Sequence, residues 1–462
     1  MTRHTQAMSE QDQIESADEP EVQLEDIQLA VTEGDKDRLS ETLDQLHPAD
    51  ASDLLEQLGT DEFETAVELL GGELPSEVLV ELRDEYREDA VEVLSDKAIA
   101  DAIDEMDSDD ATAVLEDIDE DRRERILDAL EPEDRAVLEA NLVYDDETAG
   151  RLMQREYLAA PEFWTIGQTI DYARENAEDL PTDFYEIYVV DPMNRPLGYV
   201  LLSQLLRAER DVRLANMMGA FESDIHVDLD QEDVAYQFQK YALASAPVKD
   251  ADGRLVGMIT VDDMVHVIQE ENTEDLLALA NVSSADGSDT VWESVKARAP
   301  WLGINLITAF VASGIIALFE GTLDRLVQLA ILMPVVAALA GNAGSQGLAV
   351  AVRAIAEREM EGTAGRRAVV RETLTGFVNG LIFAVGVGLI AQLWFGDVAL
   401  SIVIGIAMML SFIWAGISGI LVPLTLKKLG ADPAVASSVF VLTLTDVMAF
   451  FSFLGLATLI LL

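Results

Sequence analysis

The sequence predicts a multi-domain chain of three unlike parts: an all-α helical-repeat N-terminal domain, a tandem pair of α+β modules, and a five-helix α transmembrane domain. Three observations predict it. Residues 1–295 hold 77 Asp and Glu against 20 Lys and Arg, while residues 296–462 hold 9 against 10, so the net charge of -56 belongs to the first part. Within that part, short amphipathic helical segments give way near residue 154 to a strand, turn, strand and helix pattern that occurs twice. The last 160 or so residues hold five long, almost uncharged stretches, each able to cross a bilayer as a helix.

The acidic excess has two readings. Most of it suits a solvated surface in a salt-rich cytoplasm, where self-repulsion is screened and acidic side chains keep the protein soluble. A few clustered acids would instead chelate divalent cations, and these must be argued residue by residue. Residues 1–23 are polar and acidic with no apolar core, which reads as a disordered tail and not a signal peptide. The absence of cysteine excludes disulfides, thiolate metal sites and Cys nucleophiles. Only four histidines occur, none in the membrane part, so oxygen ligands and a hard ion such as magnesium, calcium or manganese are expected. With neither His nor Cys in the spans to serve as base or nucleophile, no enzymatic activity is expected. No nucleic-acid partner is expected either.

From residue 24 to residue 153 the pattern is helical and punctuated by Pro, Gly and Asp. Asp53 to Leu58 (DLLEQL) resembles Ala113 to Ile118 (AVLEDI), which suggests stacked helical hairpins with too degenerate a repeat to give a period. In residues 154–213, a strand at Ile187–Asp191, a turn at Pro192–Arg195 and a strand at Gly198–Leu202 lead into a helix at Gln204. In residues 214–267, Ala246–Asp250, a turn at Asp252-Gly253 and Gly257–Val261 lead into a helix at Asp262. This doubled unit resembles paired CBS modules. Such modules commonly bind adenine nucleotides through a Thr and an Asp after the second strand. The resemblance therefore implies ATP or another adenine nucleotide at Thr260 and Asp263, in the second module only, because the first has Leu201 and Gln204 there. A purely structural or ion-sensing pair is the alternative.

The five stretches are Ala299–Phe319, Leu326–Val352, Thr373–Gly396, Val398–Leu426 and Pro433–Leu462. Arg353, Arg358, Arg366, Arg367 and Arg371 lie between the second and third, and Lys427 and Lys428 between the fourth and fifth. The positive-inside rule then places these loops and the N-terminal part in the cytoplasm and Leu462 outside. Asp446 is the one formally charged residue from Pro433 to Leu462. A carboxylate that deep costs at least ~2.5 kcal/mol unless compensated, either by a cation in a wet pathway or by hydrogen bonds holding two helices together. Gly341-Asn342-Ala343-Gly344-Ser345-Gln346 is unusual for a lipid-facing helix. Its glycines suit close packing, and Asn342 and Gln346, four apart, put two amides on one face beside a candidate cation path. Glu320 and Asp324 flank the first outer loop and read as solvated interfacial acids. Asp432 precedes Pro433 as an N-cap at the cytoplasmic mouth of the Asp446 helix.

The assembled order resembles the MgtE family of magnesium channels over nearly all of the chain after the tail. The most specific pieces are Tyr144–Met153 (YDDETAGRLM), Gly341–Gln346 with Arg353-Ala354, Gly430–Ala434 (GADPA) and Leu444–Val447 (LTDV). The resemblance implies a homodimer in the lipid bilayer of the cytoplasmic membrane, with a pore lined by the second and fifth spans. It gives ion selection to Asp446, Asn342, Gln346, Gly341, Gly344 and Thr445. It further implies a connecting or plug helix in residues 268–295 and a membrane domain in residues 296–462. Glu271, Glu274 and Asp275 on that helix match regulatory acids, as do Glu232 and Asp263 in the second module, with Asp432 at the mouth. His266 and Ala242 stand where the pattern has acids, which implies a weaker or rebuilt sensor site. The expected function is magnesium-selective, magnesium-gated import of Mg2+. The alternatives are an ion-coupled carrier using Asp446, and a membrane-anchored nucleotide or ion sensor without transport.

Overall fold

The computed structural model describes residues 24–177, 180–181, 184–282, 291–360 and 362–462; the expected acidic tail lies outside the described residues. The described residues form two compact units, one ending at Val267 and one beginning at Ile268.

In the first unit, ten short α-helices run from Leu24–Glu33 to Pro132–Asn141. Each is too short to be stable alone and depends on burying one face. Leu39, Leu55, Phe63, Val67, Leu70, Leu79, Ile99 and Leu115 are buried in a continuous core. Helix starts are local: Asp35 caps through Arg38 N, Ser95 through Ala98 N, and Pro48 occupies the first turn of its helix.

Two three-stranded sheets follow. β1 (Ala159–Pro161), β2 (Glu186–Val190) and β3 (Pro196–Leu201) form the first, and β4 (Ile225–His226), β5 (Ser245–Lys249) and β6 (Leu255–Thr260) the second. In each, the first strand is parallel to the second and the second antiparallel to the third. The two hairpin turns are chemical copies. Asp191 Oδ1 accepts from Met193 N and Arg195 N, and Asp250 Oδ1 accepts from Asp252 N and Arg254 N. Asn194 (φ 60°) and Gly253 (φ 76°) take the same left-handed position. The first residues of β2 and β5 meet in the interior, where Ser245 Oγ donates to Glu186 Oε2 at 3.4 Å and receives the Tyr188 hydroxyl at 2.9 Å. A connecting helix, Val261–Leu279, leaves β6 directly. The helix expected at Asp262 and the connecting helix expected from residue 268 are thus one continuous helix that starts at Val261, and the two compact units part within it at Ile268. Residues 283–290 of that expected segment lie outside the described residues.

Among the described residues of the second unit, five helices are long and apolar enough to span a membrane: Ser294–Ala317, Gln328–Ala356, Thr363–Phe395, Val398–Lys428 and Pro433–Leu461. The third begins ten residues before its apolar stretch, so Arg366, Arg367 and Arg371 lie on helix and not in a loop. The fourth span is the hub, packing against the second, third and fifth. Glycines bring it closest to its neighbours: a Cβ at Gly416 would meet the Glu372 carbonyl of the third span at 2.6 Å, and one at Gly419 the Gly344 carbonyl of the second at 2.9 Å. The first span packs on the fifth. Between the first and second spans, Thr322 Oγ1 pairs with Thr458 Oγ1 at 2.8 Å, tying the short helix Glu320–Leu323 to the end of the fifth.

Candidate functional site

The second and fifth spans run side by side, and their contacts set a common depth. A Cβ at Gly344 would lie 3.0 Å from Thr445 Cγ2 and from Val441 Cγ1, and one at Gly341 would lie 3.2 Å from Leu442 Cδ1. Gly341, Gly344 and Thr445 are therefore packed into the seam between the two helices, and Thr445 also donates to Leu442 O at 2.8 Å. Asn342 stands mid-way along the second span and Asp446 mid-way along the fifth, so the seam brings both to one level. Asp446 is half-buried, and among the described residues it makes no hydrogen bond or ion pair. Asn342, Ser345 and Gln346 are exposed on the face of the second span that turns away from the packed glycines. Two amides and a hydroxyl facing outward at mid-membrane are as unfavourable in lipid as the carboxylate. The pair of helices thus presents a polar strip where the bilayer is driest.

A second set of acids lies within the first unit. Asp263, at the start of the connecting helix, accepts the Thr260 hydroxyl at 2.5 Å. It lies close enough to Asp109 and Asp110, in the first turn of the helix Ser108–Glu116, to shift both. Burial first, then repulsion by Asp263, raises the Asp109 carboxyl well above the ordinary range and takes Asp110 to about 7. Burial and Asp262 take Asp263 itself to about 6, against the Thr260 hydrogen bond and nearby His266. Asp107 is raised by burial, Glu156 and Asp262. Sequence reasoning missed Asp107, Asp109 and Asp110. Acids in a helix first turn are ordinary dipole partners, and only the fold brings these to Asp263.

A third set lies in the second unit. Asp275 is half-buried, and its carboxyl is raised by burial, then by Asp432 and then by Glu274. Asp432 caps the fifth span, accepting from Ala434 N at 2.7 Å. The structure thus joins two expected acids far apart in sequence, at the end of the span that carries Asp446. Glu271 is half-buried and Glu274 exposed on the same helix. Glu232 is exposed, its backbone N–H bonded to Asp230. Ala242 is a left-handed C-cap and His266 is exposed. Among the described residues no three acids or histidines converge closely enough to hold a metal ion by themselves. The arrangement supplies carboxylate pairs, which suit a largely hydrated hard cation better than a full protein cage.

Five spans with a polar strip at mid-depth, joined to acid pairs near the fifth span and in the water-facing part, define the class: a multi-pass membrane protein of divalent-cation transport. A family model described as a divalent cation transporter, MgtE, matches residues 333–456, the MgtE intracellular N domain matches 46–147, and a CBS domain model matches 225–270. The chain is 35% identical over 339 residues to the magnesium transporter MgtE of Thermus thermophilus, across 72% of this chain and 74% of that one. It is 32% identical over 326 residues to the magnesium transporter MgtE of Enterococcus faecalis, across 71% and 72%. A crystal structure of the cytosolic domain of the Mg2+ channel MgtE in complex with ATP is 32% identical, with 53% of this chain and 100% of that one covered and a TM-score of 0.49. The chain belongs to the MgtE family of magnesium transporters.

Proposed function

We propose that the protein is a magnesium-selective channel that imports Mg2+ across the cytoplasmic membrane as a homodimer and closes when Mg2+ binds its cytosolic acids. The observation that carries this reading is Asp446: a carboxylate at mid-span, half-buried, without a hydrogen-bond or ion-pair partner among the described residues and near the depth of the exposed amides of Asn342 and Gln346. A second copy related by a two-fold axis would cover that polar strip and set two Asp446 carboxylates across one water-filled path. Magnesium sheds its water reluctantly, so a pair of carboxylates ringed by amides would hold the hydrated ion without stripping it. Entry is driven by the membrane potential, worth ~2.3 kcal/mol per charge per 100 mV.

Gating follows from the other two acid sets. Without a cation, Asp275 and Asp432 repel, as do Asp109, Asp110 and Asp263, and each set favours separation of the elements that carry it. Mg2+ bridging them favours the compact arrangement by RT ln(1 + [Mg2+]/Kd), about 2.7 kcal/mol at a hundredfold excess over Kd. Screening at 1 M salt shortens the Debye length to ~3 Å, so direct chelation and not diffuse charge sets the threshold. Glu232, Glu271 and Glu274 are assigned to the same sensing surface, with Glu271 and Glu274 one turn apart on the connecting helix. The positive-inside bias supports a cytoplasmic first unit, with the basic ends of the second, third and fourth long helices on the same side and the end of the fifth span outside. An adenine nucleotide in the second module would use Thr260 and Asp263, whose hydrogen bond is already formed. Nucleotide and regulatory cation would then share Asp263.

Mg2+-dependent growth of a transport-deficient host tests the reading. Wild type is expected to restore growth and Asp446→Ala to fail at equal membrane abundance and unchanged dimer content. Uptake that requires a sodium or proton gradient would instead favour the coupled carrier, and full function of Asp446→Ala would end the pore assignment.

A further inference from the structure

The connecting helix also ends on a contact of a different kind. Its last turn closes with Asn281 N donating to Ala278 O and Val282 N to Leu277 O, both at 3.0 Å, and the chain reverses at Asn281, whose φ is 59°. Asn tolerates that left-handed position better than other residues with a side chain. The turn brings Asn281 Oδ1 to the fifth span, where Ser438 Oγ donates to it at 2.6 Å. Ser438 stands eight residues before Asp446 on the same helix, about 12 Å along the axis. One turn back, Ala278 is buried among Leu348 and Val352 of the second span and Ala434 and Val441 of the fifth. Val441 is also a side chain against which Gly344 packs, so this seat is continuous with the seam that sets the depth of Asp446. None of these groups is charged. Their contacts need no cation, and salt does not screen them.

We propose that Asn281 and Ser438 form a cation-independent catch that seats the end of the connecting helix on the pore-lining spans. Mg2+ at Asp275 and Asp432 then adjusts a helix already in place and does not recruit a free one. The proposal rests on the gating reading above and adds positioning residues to it. In a cytoplasm where long-range charge effects are screened, a neutral anchor beside the acid pair keeps the pair close enough to be bridged by one hydrated ion. Losing the catch should raise the Mg2+ concentration for half-closure without changing uptake through the open pore.

The chain contains no cysteine, so a pair can be introduced into the full-length protein without background. In proteoliposomes, Asn281→Cys with Ser438→Cys is expected to give a linked peptide in the monomer band on mild oxidation, both with chelator and with saturating Mg2+. A link that forms only with Mg2+, or in neither condition, overturns the proposal. Ser438→Ala should raise the half-inhibiting Mg2+ concentration about three- to tenfold, the range expected for one hydrogen bond. Asn281→Gly, which keeps the turn, should match it, with maximal uptake at low Mg2+ unchanged in both. An unchanged half-inhibiting concentration in both variants also overturns the catch. If wild-type uptake ignores internal Mg2+, the gating reading itself fails, and the cross-link still reports the contact.

Discussion

The carboxylates of the water-facing part and the single carboxylate of the fifth span show how differently the same group acts in two solvents. In residues 1–295 there are 77 acids, most of the described ones are exposed, and any one of them contributes little alone. The fold has changed the environment of a few of them, among them Asp107, Asp109, Asp110, Glu186 and Asp263 in the first unit, and of Asp275 near the start of the fifth span in the second. In the fifth span one acid is enough, because a bilayer offers no water to solvate it. Number carries no information in the first region, and position carries nearly all of it in the second.

Four variants sharpen that comparison. The largest effect is expected at the mouth: replacing Glu274 and Asp275 together by Ala should leave Mg2+ uptake active at internal concentrations that close the wild type, an order of magnitude or more in residual flux. Feedback unchanged in that double variant would remove the connecting helix from the sensor. Next, Gly344→Val should loosen the seam of the second and fifth spans, since even a Cβ falls 3.0 Å from Thr445 and Val441. Overpacking of this kind costs about 1–3 kcal/mol, read as a lower unfolding midpoint in detergent. A smaller effect is expected at the buried acids. Asp109→Asn with Asp110→Asn should raise the thermal stability of chelator-treated protein and shrink the further gain on adding Mg2+, because repulsion and ligands go together.

The smallest effect belongs to Glu186. Burial takes its carboxyl to about 7, with Ser245 as its hydrogen-bond partner. The folded value lies above the unfolded one, near 4.3. The stability this contributes is therefore complete below about pH 4.3 and is lost as pH rises through about 7. Glu186→Gln should flatten the decline in stability between pH 5 and 8, and a melting profile with the wild-type slope would show that Glu186 does not titrate there.

Legibility in the sequence follows the same divide. The spans are legible because apolar length reports the hydrocarbon directly. The third helix is longer than its apolar stretch because a helix does not stop where lipid does, and Arg366, Arg367 and Arg371 ride on the extension. The hairpins of both modules show in their alternation and turn residues, whereas β1 and β4, three and two residues long, are too short to leave a pattern. Asp446 stands out against apolar neighbours. Asp109 and Asp110 do not, because they are two acids among many and meet Asp263 only through tertiary packing. Gly341-Asn342-Ala343-Gly344-Ser345-Gln346 shows both small and polar residues, yet which face turns to the neighbouring helix is decided by Leu442 and Thr445, a hundred residues away.

Mg2+ flux into proteoliposomes of purified protein, driven by a set membrane potential without sodium or proton gradients, tests the central claim most directly. The wild type is expected to pass Mg2+ at low internal Mg2+, and Asp446→Asn, which keeps the shape and removes the charge, to lose nearly all of that flux. An Asp446→Asn protein that conducts like the wild type would contradict the assignment of that carboxylate to the ion path.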